Sequence, residues 1–228
     1  MNTTRSRLRI LAQMAWWLFV CQASPAAIII VDTFDEGGFT ISSPGNSNPS
    51  DETVNLPLAQ HRSAALSSNG TNGTVMSGAL NSSTGKLNFL TSGTSISSIF
   101  PLSLQLVYAA TLSTQSIAGC TDFILGFSEL SGVGTLYVEM GSSNGPSGTY
   151  RMDLTGPGNV FFPVSGVRLN PGHTLDAFTV LRFVFEARSP QFSFTLDEIR
   201  LVPEPSASVL ALAAAAAGLL GRRRAGII

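Results

Sequence analysis

What this chain lacks narrows its chemistry before anything it contains is considered. It has two cysteines, Cys21 and Cys120, and two histidines, His61 and His173. Cys21 lies at the end of an N-terminal apolar run, so the body keeps a single thiol, too few for an internal disulfide or a thiolate metal cluster. Neither histidine stands at a metal-ligand spacing, and His173, in Pro171-Gly172-His173, reads as a turn residue. Both tryptophans, Trp16 and Trp17, also belong to the N-terminal run. Of the 13 Lys and Arg, six are terminal arginines, so residues 24–205 keep 7 against 14 Asp and Glu, a net charge of −7. A body this acidic lacks the clustered positive charge that nucleic acid or an anionic membrane surface requires.

The body also lacks a 3.6-residue apolar repeat; its pattern has period two. From Leu102 to Leu112 the even positions are Leu102, Leu104, Leu106, Tyr108, Ala110 and Leu112, alternating with residues such as Ser103, Gln105 and Thr111. That is a half-buried strand. Further strands are expected at 28–34, 74–80, 95–100, 122–127, 135–140, 150–154, 159–162, 178–187 and 192–202. Turn-forming runs such as GSSNGPSG (141–148) and TGPGN (155–159) separate them. The pattern predicts an all-β fold, a single β-sandwich of jelly-roll type.

Residues 42–95 are rich in Ser, Thr, Asn and Gly and are expected to be largely loop. Asn69-Gly70-Thr71, Asn72-Gly73-Thr74 and Asn81-Ser82-Ser83 match the N-x-[ST] acceptor pattern. Tight turns account for them more simply, because Asn-Gly favours a bend with positive φ.

Both ends of the chain carry address-like segments. Arg5, Arg7 and Arg9 precede the apolar run ILAQMAWWLFV (10–20), with Ala23 as the expected cleavage point and Ala26 as the second choice. Residues 1–23 are thus expected to be a secretory signal peptide, removed by signal peptidase. At the other end Val202-Pro203-Glu204-Pro205 leads into an apolar run, 207–220, that stops at Arg222, Arg223 and Arg224. Ala and Leu favour a helix there, and Pro205 blocks its backward extension. Its 14 residues span only about 21 Å against a hydrocarbon core of about 30 Å, a weak permanent anchor. The arginines place the C-terminus in the cytoplasm and the body outside. The sandwich, residues 24–201, is therefore expected to be flanked by an N-terminal signal helix and a C-terminal transmembrane helix.

This order of parts at 202–228 resembles the PEP-CTERM sorting signal of bacterial envelope and secreted proteins. The resemblance implies an exosortase-type membrane protease acting at or near Val202 to Pro205, with the arginines holding the tail in the inner membrane. It further implies delivery to the cell surface or extracellular matrix of a Gram-negative bacterium, with exopolysaccharide and biofilm as the setting.

A second, weaker resemblance concerns the last strand, whose apolar phase shifts: Phe192, Phe194 and Leu196 are even, Ile199 and Leu201 odd, with Asp197-Glu198 at the slip. A β-bulge is the natural cause. FTLDEIRL (194–201) is similar to the closing strand of carbohydrate-binding-type jelly rolls, with VDTFDE (31–36) as the matching opening strand. The resemblance implies that acidic residues from both ends, Asp32 and Asp197 first, supply oxygen ligands to a structural Ca²⁺.

For catalysis little is present. Gly141-Ser142-Ser143-Asn144-Gly145 matches G-x-S-x-G, but that motif needs a strand, an elbow and a helix, and Pro146-Ser147-Gly148 follows. The chain is therefore not expected to be an enzyme. Sugar platforms favour Trp or Tyr, and the body offers only Tyr108, Tyr137 and Tyr150; its thirteen phenylalanines alternate like core. A structural or adhesive role in the matrix therefore ranks first, with a carbohydrate-binding module as the alternative and a secreted hydrolase third.

Overall fold

A computed structural model describes residues 28–43, 50–67, 75–81, 83–93, 102–109, 117, 119–142, 145–171 and 179–204. The signal segment 1–23 with Ala26, the strand expected at 95–100, Asn69, Asn72, His173, Pro205, the apolar run 207–220 and Arg222 to Arg224 lie outside the described residues.

Alternation in the sequence becomes alternation between core and surface. In β7 (Leu102–Ala109) Leu104, Leu106 and Tyr108 are buried while Gln105, Val107 and Ala109 are partly exposed. The same period governs β13 (Val180–Ala187), where Leu181, Phe183, Phe185 and Ala187 point inward. The other strands are β1 (Ile29–Asp32), β2 (Gly38–Ser43), β3 (Ser50–Leu56), β4 (Ala59–Ser67), β5 (Val75–Asn81), β6 (Lys86–Ser92), β8 (Cys120–Ser131), β9 (Gly134–Ser142), β10 (Gly145–Leu154), β11 (Gly158–Pro163), β12 (Arg168–Leu169) and β14 (Ser193–Pro203). One 3₁₀ turn, Val164–Gly166, is the only helical element among the described residues. None of the described helices is long and apolar enough to cross a membrane.

The strands form two antiparallel sheets. The first runs β11-β8-β14-β6-β5-β2, with β1 also paired to β14; the second runs β12-β10-β9-β13-β7-β4-β3. The chain passes repeatedly between them, as in a jelly roll, and their inner faces share one core. Phenylalanines join the layers: Phe123 of the first sheet meets Phe183 of the second edge-on at 5.8 Å, and Phe194 meets Phe185 at 4.7 Å. Ten of the described phenylalanines are buried, and Phe161, on the edge strand β11, is 58% exposed. The expected all-β sandwich is what the chain forms.

The loop expected over most of 42–95 is corrected: β3, β4 and β6 lie there, while β5 falls on the strand expected at 74–80. Their inward positions include Ala64, Gly78, Arg62 and Thr91 beside Leu66, Leu87 and Phe89, so the apolar alternation is diluted by small and polar residues. Within this stretch Asn81 ends β5 in a turn, its Oδ1 accepting from the Ser83 N–H at 3.1 Å and the Ser83 hydroxyl at 2.7 Å. Asn81 thus stands in the turn that the sequence led one to expect. Of the G-x-S-x-G match, Ser142 and Gly145 pair with each other between β9 and β10, and Ser143 and Asn144 lie outside the described residues.

Candidate functional site

Asp32, the first of the two residues expected to bind calcium, is held inside the sandwich by a shift of register. Ile30 pairs with Arg200 and Asp32 with Ile199, so β1 carries one extra residue and both Val31 and Asp32 turn inward. A carboxylate there needs a counter-charge, because an unpaired buried ion costs far more than a paired one. Arg62, from β4 of the opposite sheet, supplies it: Nη1 donates to Asp32 Oδ2 at 2.7 Å, and neither side chain is exposed. The Tyr108 hydroxyl donates to the same oxygen at 2.8 Å, and the Phe34 N–H donates to Oδ1 at 2.7 Å.

The other arm of the guanidinium reaches the sandwich edge. Its Nη2 donates to Glu52 Oε2 at 2.8 Å and to the Glu36 carbonyl, and Glu52 Oε1 accepts from the Gly38 N–H at 2.7 Å. The connection 33–37 must bend tightly around this fork, with Phe34 at φ 58° and Gly37 at φ 72°. A side chain at Gly37 would put its Cβ 2.6 Å from Glu52 Oε2, so the position requires glycine.

Ionisation follows from this packing. Burial alone would lower the pKa of Arg62, but the charge and hydrogen bond of Asp32, with Glu52 assisting, reverse the effect and leave it raised. Tyr108 is pushed well above the ordinary tyrosine value, first by burial and then by the negative charge of Asp32, which outweigh the opposing pull of Arg62. The network is a structural clamp between sheets.

Asp197 does not join Asp32. It faces outward from β14 beside Lys86 Nζ at 3.1 Å and accepts from the Ser128 hydroxyl at 2.9 Å. The phase slip expected at Asp197-Glu198 is present: Phe194 and Leu196 are buried before it, Ile199 and Leu201 after it. It falls where β14 passes from pairing with β6 to pairing with β1. The shared calcium site expected from the resemblance is therefore corrected: Arg62 supplies the charge Asp32 requires, and Asp197 lies outside the core. Among the described residues no three His, Cys, Asp or Glu side chains converge on a metal position.

The three tyrosines fall in different places. Tyr108 is in the clamp, and Tyr150 packs on Phe162 at 4.7 Å. Tyr137 alone of the three sits on the outward positions of β9, in a transverse row fixed by register: Ala65, Gln105, Val184, Tyr137 and Arg151 on adjacent strands of the second sheet. The neighbouring row is Ser63, Val107, Arg182, Glu139 and Thr149, and the row on the other side is Ser67, Ser103, Glu186, Thr135 and Asp153.

This face is built from paired charges around the ring. Arg151 lies over Tyr137 at 5.7 Å from its centroid, and Arg188 Nη2 donates to the Tyr137 hydroxyl at 2.9 Å. Arg182 pairs with Glu139 and Arg188 with Glu186, each at 2.9 Å. Three of the seven cations in residues 24–205 thus converge on one face, which sequence spacing could not show.

Catalytic groups are not assembled by the histidine that can be placed. His61 Nδ1 stands 3.9 Å from Asp51 on an open surface, too far for an oriented hydrogen bond.

No family model matches this chain, and no curated protein matches it. Among solved structures it is similar to the family 11 carbohydrate-binding module of a cellulosomal cellulase of Clostridium thermocellum, at 15% identity and a TM-score of 0.42, over 79% of this chain and 96% of that one. The module from the same organism in complex with a β-1,3-1,4-mixed-linked tetrasaccharide aligns at 15% identity and a TM-score of 0.43, over 79% and 98%. A family 30 carbohydrate-binding module aligns at 13% identity and a TM-score of 0.35, over 80% and 86%. The sandwich itself stands on its own strand pairing.

Proposed function

We propose that the chain is an exported, non-catalytic β-sandwich that holds neutral polysaccharide of the envelope or extracellular matrix on the outer face of its second sheet. The observation that carries this reading is the row through Tyr137, with Arg151, Arg182 and Arg188 set among Glu139, Glu186 and Asp153. A sugar hydroxyl both donates and accepts, so a surface that alternates guanidinium donors with carboxylate acceptors can satisfy adjacent hydroxyls. The tyrosine ring adds an apolar surface for the sugar face. Because the charges are paired, the surface favours a neutral chain over a polyanion. An adhesive role in the matrix and sugar binding are on this reading one activity.

Before it reaches that setting, signal peptidase removes 1–23, and the PEP-CTERM-like tail, 202–228, holds the chain in the inner membrane until an exosortase-type protease acts. The sequence order of Val202 to Pro205, apolar run and Arg222 to Arg224 supports this.

Affinity electrophoresis and calorimetry of the mature protein against neutral and acidic polysaccharides test the binding. Saturable, weakly salt-dependent retention by a neutral polysaccharide is expected, reduced by Tyr137→Ala without a change in melting temperature. Absence of retention across the neutral set refutes it. For the tail, replacing Arg222 to Arg224 should change the size or location of the product, and an unchanged product refutes sorting.

A further inference from the structure

We infer that the sandwich sets the body-side limit of C-terminal processing: the cut that frees the body falls after Pro203 or further along the tail. The inference rests on the sorting reading above and narrows it to one side of a single residue.

β14 is an interior strand, not an edge. In its first half Ser193 to Leu196 pair with Leu90 to Leu87 of β6. In its second half Leu201 pairs with Ile29, Arg200 with Ile30 and Ile199 with Asp32, while β8 flanks its other side. Ile199 and Leu201 are fully buried. The hydroxyl of Thr121, on β8, donates to the Val202 carbonyl at 3.3 Å, so the hold extends past the last buried side chain. The strand ends at Pro203, which has no N–H to donate, and Glu204 is the first residue beyond it and exposed.

A protein that captures an extended peptide does so largely through the peptide's main-chain N–H and C=O groups. Up to Val202 the backbone of β14 is committed to its neighbours. To cut there, a protease would have to withdraw an interior strand and expose Ile199 and Leu201, which unfolds the seam with β1. At Glu204, exposed just past the end of the strand, no such withdrawal is needed. The reaction is the same wherever it falls: the amide C–N bond breaks, the acyl carbon passes to water or to an acceptor hydroxyl or amine, and the tail leaves with a new N-terminal N–H.

The test is the intact mass of the mature protein from cells that make the full chain together with an exosortase-type protease. A C-terminus at Pro203 or later is expected. A C-terminus at Val202 or earlier overturns the inference while leaving sorting intact. A product that still ends at Ile228 overturns both. A variant with a four-residue Gly-Ser spacer between Pro203 and Glu204 separates the cut from the fold. If the cut follows the tail, the mature mass grows by some or all of the spacer. Should the product keep the mass of a chain ending before Pro203, the inference fails.

Discussion

Arg62 and Asp32, thirty residues apart in sequence, face each other from opposite sheets with Nη1 and Oδ2 2.7 Å apart and neither side chain exposed. A pair this deep contributes less as attraction than as a requirement, since each charge is tolerable only while the other is present. Arg62→Met should therefore lower stability by about 3–5 kcal/mol, because it strands the Asp32 charge in the core. Arg62→Met combined with Asp32→Leu should recover part of that loss, leaving the Tyr108 hydroxyl and the Phe34 N–H without their acceptor. Urea denaturation of both variants measures it, and a single variant costing under about 1 kcal/mol contradicts a clamp.

Alkaline solution should find Tyr108. In the unfolded chain a tyrosine ionises near pH 10, whereas in the sandwich Tyr108 keeps its proton to well above that value. The folded state therefore binds the proton more tightly. Its contribution is complete below about pH 10 and is lost as the pH rises toward the folded value. Arg62 is also raised, so its loss comes only at still higher pH. Stability measured from pH 8 to 11.5 should be level and then fall, and Tyr108→Phe should flatten the fall. An equal slope in the two proteins would rule Tyr108 out as its source.

Calcium should make no difference to the sandwich. Both Asp32 oxygens already accept from Arg62, Tyr108 and the Phe34 backbone, so a cation at Asp32 would have to displace the guanidinium. The melting temperature is expected to be the same in millimolar Ca²⁺ and in chelator. A rise with calcium would show that Asp32 has been assigned the wrong counter-charge.

The face around Tyr137 predicts a split between binding and stability. Arg182 and Glu139 are partly exposed, so Arg182→Ala should cost under about 1 kcal/mol of stability. Tyr137→Ala should weaken polysaccharide binding by about tenfold, the scale of a lost ring contact near 1.5 kcal/mol. Calorimetry and thermal melts on the same preparations separate the two effects. A large loss of stability in both variants would make the face structural.

How much of this was legible depends on what fills the inward positions. In β7 and β13 leucine and phenylalanine, with Tyr108 and Ala187, occupy every second site, so sequence alternation and burial coincide apart from the buried Ser103. In β4, AQHRSAALS, the inward set includes Arg62, Ala64 and Leu66, and an arginine at a core phase looks polar until its partners are known. The one available clue was that Arg62 lies in phase with Ala64 and Leu66. In β6 the exposed Leu90 follows the buried Phe89 and blurs the period. The turn at Asn81 and the slip at Asp197-Glu198 were visible because they depend on neighbouring residues. The convergence of Arg151, Arg182 and Arg188 was not, because β10 and β13 reach the same face only through their separate pairings with β9.

The pairing of Ile29 with Leu201 has a consequence for the order of the chain itself. Antiparallel partners set the first strand's beginning against the last strand's end, so the body is nearly a closed ring of sequence with its break at one seam. A circular permutant joining Ile28 to Glu204 by a short Gly-rich linker, with new ends opened in the 155–157 turn between β10 and β11, should keep every strand pair and bury the same core. The two strands that the native chain visits first and last would then be bound by a covalent hairpin, and the sandwich would no longer depend on where its sequence starts.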